Sequence, residues 1–89
     1  MDRLKTSLSH SESYSVFAGS REQAERFATD QKVSHDRLRY INKPENLYGV
    51  DGRGKTLHVY GTAWQRNDFR EIITTARERG FQIHERLHP

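Results

Sequence analysis

The sequence predicts one small α/β domain, with a four-stranded, mainly parallel sheet and two helices. Two observations carry that expectation. Four short β-prone runs alternate with stretches whose apolar positions follow the helical period. Their order, strand, helix, strand, loop, strand, helix, strand, calls for crossovers rather than hairpins. At 89 residues there is room for a single domain.

Met1 to Glu12 is polar, Ser-rich and aperiodic, so residues 1–12 are expected to form a flexible arm ahead of a domain spanning 13–89. From Ser13, Ser-Tyr-Ser-Val-Phe-Ala alternates and then becomes continuously apolar, as a buried strand does, and Gly19 ends it. Ser20 and Gln23 have the spacing of a capping box, whose side chains satisfy free N–H groups at a helix start. The helix should run from Arg21 to about Gln31, with Ala24, Phe27 and Ala28 inward.

Arg37 to Ile41 alternates charge with bulk and reads as an edge strand, broken by Asn42-Lys43-Pro44. Pro44 to Leu47 fits one helical turn with Pro at its first position, and the Gly-rich stretch Gly49 to Lys55 is loop. Thr56 to Tyr60 alternates again, as a third strand closed by Gly61. Asn67 is the expected cap of a helix from Asp68 to Arg79, because Phe69, Ile72, Ile73 and Ala76 stand at i, i+3, i+4 and i+7. Asp68 and Glu71 suit its positive end, Arg77 and Arg79 its negative end, and Gly80 stops it. Phe81 to His84 is the fourth strand.

This order is Rossmann-like and P-loop-like, with strand order 2-1-3-4. Two helices cannot cover both faces of four strands, so a second protomer or another partner on one face is expected. Ligands of such sheets bind beyond the carboxyl ends of the strands, where the order reverses. Those ends carry Ser20 and Arg21 after the first strand, and Gly61, Thr62, Trp64, Gln65 and Arg66 after the third.

Composition narrows the function classes. The chain is 33% hydrophobic and 30% charged, and it has no Cys, which excludes disulfides and thiolate metal sites. No apolar run fits a signal peptide or a membrane span, so a cytoplasmic protein without membrane contact is the expectation. Fifteen Lys and Arg against twelve Asp and Glu give a net charge of +3. The basic residues are scattered from Arg3 to Arg86 and mostly lie near acids, which favours a solvated surface over a nucleic-acid footprint. A nucleic-acid reading would rest on Arg37, Arg39, Arg53 and Lys55, with Tyr40 and Tyr60 as stacking groups where the sheet is uncovered.

Two motifs match in letters and fail in context. Gly49 to Thr56 spells G-x-x-x-x-G-K-[ST], with Lys55 and Arg53 as possible phosphate contacts, but a P-loop needs a strand before it and a helix after it. Here β-prone residues follow Thr56. His84-Glu85-Arg86-Leu87-His88 spells H-E-x-x-H, yet on a strand its two His stand about 13 Å apart, too far to share one ion. No catalytic residues, cofactor or metal are therefore assigned. Trp64 has two readings, as an aromatic packed over the edge of the second helix or as a contact residue beside Gln65 and Arg66.

Ser15 to Ala24, Pro44 to Gly49 and Leu57 to Trp64 resemble the middle of a helicase- or terminase-type ATPase core. The chain is also similar to small stand-alone α/β proteins of actinobacterial phages and prophages that keep this half-sheet. Gly61-Thr62 stands where that core carries Asp-Glu, so the resemblance implies the sheet without the hydrolytic machinery. The leading expectation is a non-catalytic protein-interaction module, phage-encoded and acting on a host or phage protein, with a homodimer as one form of partner. Nucleic-acid binding and nucleotide binding at the Gly-rich match are the alternatives.

Overall fold

The structure is a computed structural model describing residues 14–88. The arm expected over residues 1–12 lies outside the described residues. Strands β1 (Tyr14–Ala18), β2 (Leu38–Tyr40), β3 (Thr56–Gly61) and β4 (Gln82–Leu87) form one sheet in the order β2-β1-β3-β4. All three pairings are parallel. Helix α1 (Arg21–Asp30) follows β1, helix α2 (Phe69–Glu78) precedes β4, and 3₁₀ turns at His35–Arg37, Pro44–Leu47 and Ala63–Gln65 fill the connections.

One helix covers each face, and the two layers are unequal. On the α2 side Phe17, Leu57 and Val59 meet Ile72, Ile73 and Ala76, with Ile41, Leu47 and Phe81 closing the margins. On the α1 side the buried cluster is Val16, Ala18, Ala24 and Phe27, bordered by partly buried Tyr14, Leu38, Tyr40 and Tyr60. Of the largest fully buried side chains, all but Val16 belong to the α2 layer. Each such burial stabilises the fold by about 1.5–3 kcal/mol, so the α2 layer carries most of the hydrophobic stabilisation. The α1 layer is thin.

The elements differ from the sequence expectation at their ends. β4 runs on to Leu87, while Phe81 stays outside the strand because its N–H donates to Ala76 O at 3.0 Å at the end of α2. β2 is only three residues long; the 3₁₀ turn His35–Arg37, opened by the Ser34 hydroxyl accepting from the Asp36 N–H, takes Arg37. Ile41 still donates its N–H to Val16 O at 2.8 Å. The N-cap of α2 is Asp68, not Asn67, and its carboxylate makes no cap bond because Arg66 holds both its oxygens.

Side-chain alternation sets the two surfaces of β4. Ile83 and Leu87 pack toward α2, whereas Gln82, His84 and Arg86 point to the α1 side and are exposed. Among the described residues no helix is long and apolar enough to cross a membrane.

Candidate functional site

The crevice where strand order reverses, between the carboxyl ends of β1 and β3, is filled by the protein itself. Ser20 caps α1, its hydroxyl accepting from the Gln23 N–H at 3.3 Å. The Gln23 side chain does not complete the capping box. It crosses the crevice, where Oε1 accepts from the Gly19 N–H at 2.9 Å and the Thr62 N–H at 3.0 Å, and Nε2 donates to Thr62 Oγ1 at 3.0 Å. Gly61 makes this fit possible: its φ is +69°, and a Cβ there would lie 2.2 Å from Gln23 Oε1.

Arg66 closes the neighbouring gap. Its guanidinium donates to Ala18 O at 3.2 Å, to the Tyr40 hydroxyl at 3.3 Å and to Asn42 O, and it forks onto Asp68 at 3.1 and 3.0 Å. It also lies 5.2 Å from the centre of the Phe17 ring, so one cation ties the ends of β1 and β2 to the start of α2. Arg21 rests over the Tyr40 ring at 5.6 Å. Gln65 is exposed in its turn. Trp64 is 43% exposed, and its indole N–H donates to His88 O at 2.7 Å, which ties the turn after β3 to the end of β4.

The Gly-rich match sits at the opposite end of the sheet. Thr56 opens β3 rather than a helix. Three loop N–H groups already have protein acceptors: Gly52 donates to Arg79 O at 2.8 Å, Lys55 to Gly52 O at 2.9 Å and Arg53 to Asp51 Oδ1 at 3.1 Å. Gly52 packs so closely on Phe81 that a Cβ would meet the ring at 2.3 Å, a structural reason for glycine there. The Arg53 guanidinium forks onto Asp51 and holds its carboxyl down at about 2, an exposed pair that adds little stability. A depression of about 370 Å³ beside it is lined by the loop and the end of α2, including Glu78.

Sequence reasoning named Tyr60 as a stacking group but missed the histidines His58, His84 and His88 that flank it on the α1 side of β3 and β4. β3 and β4 run in register so that His58 stands beside His84 and Tyr60 beside Arg86. His58 stacks on Tyr14, centroids 4.5 Å apart and planes 13° apart, and leans on Phe27 at 5.3 Å; its other flank meets the edge of His84 at 5.6 Å. Tyr60 is backed by Phe27 at 4.9 Å and faced edge-on by His88 at 5.2 Å. His58 Nδ1 is buried without a hydrogen-bond partner. Its pKa is lowered, first by burial and then by the nearby His84 and Arg86. The signal was present in the sequence as polar and aromatic residues at alternate positions of both strands. Among the described residues no three His, Asp or Glu converge as a metal site.

The chain matches no protein-family model, no curated protein and no solved structure.

Proposed function

We propose that this domain is a non-catalytic binding module that docks a macromolecular partner on the α1 side of its sheet along exposed β4 and the flank of β3. The observation that supports this reading is the exposed row His84, Arg86 and His88 beside partly buried His58 and Tyr60, left open because α1 packs on β1, β2 and β3 rather than on β4. Large side chains held by rigid strands give a pre-organised contact surface that loses little side-chain entropy on binding. Trp64 extends the surface at its carboxyl end through the bond to His88. Hot-spot energetics favour this mixture of Tyr, Trp and Arg.

The test compares what the immobilised protein, the His84→Ser/Arg86→Ser double variant and an Arg53→Ser control at the far end retain from a lysate, scoring proteins and nucleic acids separately. A component retained by wild type and control but lost from the double variant is the expected result. Identical recovery by all three overturns the proposed surface.

A further inference from the structure

We infer that the occupant of this half-face is single-stranded nucleic acid, with its bases stacked along β3 and β4; the inference rests on the binding-module reading above. The side chains that β3 and β4 present there beyond Thr56 are His58, Tyr60, Gln82, His84 and Arg86, and none is a carboxylate. Glu85, the one acid of β4, is in register with Val59 and so faces the α2 side. None of these side chains is aliphatic either, because Leu57, Val59, Ile83 and Leu87 all point to the other layer. A protein partner's apolar core would find no aliphatic complement. A ligand offering both flat π-faces and negative charge matches the rings and the guanidinium present.

The geometry places an exposed flat group at each of two successive levels, the His84 ring at one and the Arg86 guanidinium at the next. His58 and His84 form one cross-strand pair, and Tyr60 with Arg86 forms the next, two residues or about 7 Å further along the strands. His88 follows beyond Arg86, its ring edge-on to Tyr60. His58, stacked on Tyr14 and met edge-on by His84, is a brace for its neighbours, and Tyr60 is held by Phe27; with Tyr60 fixed in this way, bases that land on it and on exposed His84 and His88 need not order it first. Arg86, exposed beside Tyr60, is placed to meet a phosphate or to stack on a base. Stacking of this kind tolerates any base but needs unpaired ones, so single strands are preferred over duplex.

The experiment titrates the full chain against fluorescein-labelled 12-nucleotide single strands, oligo-dT and oligo-U, and against a 12-base-pair duplex, by fluorescence anisotropy at low salt. Single strands are expected to bind more tightly than duplex, with a log–log salt slope of about −0.7 for each phosphate neutralised. Tyr60→Leu and Arg86→Ser should each weaken binding by about tenfold, a loss in the range of one stacked base or one charged contact. Arg53→Ser/Lys55→Ser, at the far end of the sheet, should leave affinity within about twofold. Melting curves of each variant separate lost binding from lost folding, and exposed Arg86 supplies a variant that keeps the core intact. Duplex binding as tight as single-strand binding, or affinity that follows Arg53 and Lys55 instead of Tyr60 and Arg86, overturns the inference. Absence of oligonucleotide binding overturns it as well. If the His84→Ser/Arg86→Ser variant then still loses a protein from the lysate, the binding-module reading survives; if it loses nothing, both fail.

Discussion

The carboxyl-end crevice of this small sheet and its α1-side surface over β4 differ in how their polar groups are used. At the carboxyl ends of β1 and β3, the place where open α/β sheets bind ligands, every polar group that projects inward is already bonded within the chain: Gln23 to Gly19 and Thr62, Arg66 to Ala18, Tyr40, Asn42 and Asp68. On the α1 side of β3 and β4, aromatic side chains pack ring on ring beside exposed His84 and Arg86, and the buried His58 Nδ1 has no hydrogen-bond partner. Topology therefore identifies where a ligand can enter an α/β sheet in general, whereas coverage decides where this one is open. With only two helices, a four-stranded sheet must leave surface uncovered, and the thin α1 layer leaves it over β4 beside β3.

The sharpest way to break that comparison is Gly61→Val. It places a branched side chain at φ +69° against Gln23 and should cost about 3 kcal/mol or more, a large share of a small domain's stability. Urea melts check it. An unchanged midpoint would mean that the crevice is loose enough to admit a ligand.

Arg66→Met comes next. It keeps much of the packing over Phe17 but strands Ala18 O, Asn42 O and the Asp68 carboxylate, a loss of about 2–3 kcal/mol in the same melts. Arg66→Lys should recover less than half of it, since an ammonium cannot fork onto Asp68 while reaching two carbonyls. Full rescue by Lys would reduce Arg66 to a point charge.

The third effect is smaller and belongs to the open face. Folding lowers the pKa of His58, so the folded state favours the neutral ring. Its contribution to stability is complete above the unfolded value of about 6.5 and is lost as pH falls from there through the folded value. The melting temperature should decline over that interval. His58→Phe, which preserves stacking on Tyr14, should flatten the decline without lowering the plateau at pH 8. An equal decline in the variant would place the pH sensitivity on other groups.

Much of the architecture was legible because it depends on local periodicity. The alternation of Thr56 to Tyr60 and the i, i+3, i+4, i+7 spacing from Phe69 to Ala76 each encode one element, and the order of elements admits few topologies besides a parallel sheet. The same context separated two motif matches from their usual structures: Thr56 begins a strand and His84 lies within one. The candidate site was less legible. Gly61, Thr62 and Arg66 were recognisable as special positions, but a sequence cannot distinguish a side chain waiting for a ligand from one bonded to a residue 39 or 48 positions away.

By itself, then, the sequence determined the elements and their order, because hydrophobic period and turn chemistry act over a few neighbouring residues. Only the tertiary structure decided the rest. Parallel pairing in register set His58 beside His84 and Tyr60 beside Arg86, and the placement of α1 over β1, β2 and β3 left the β4 members of those pairs exposed. Gln23 and Arg66 became internal ties for the same reason: their partners are distant in the chain and adjacent only once the crossovers bring strand ends together.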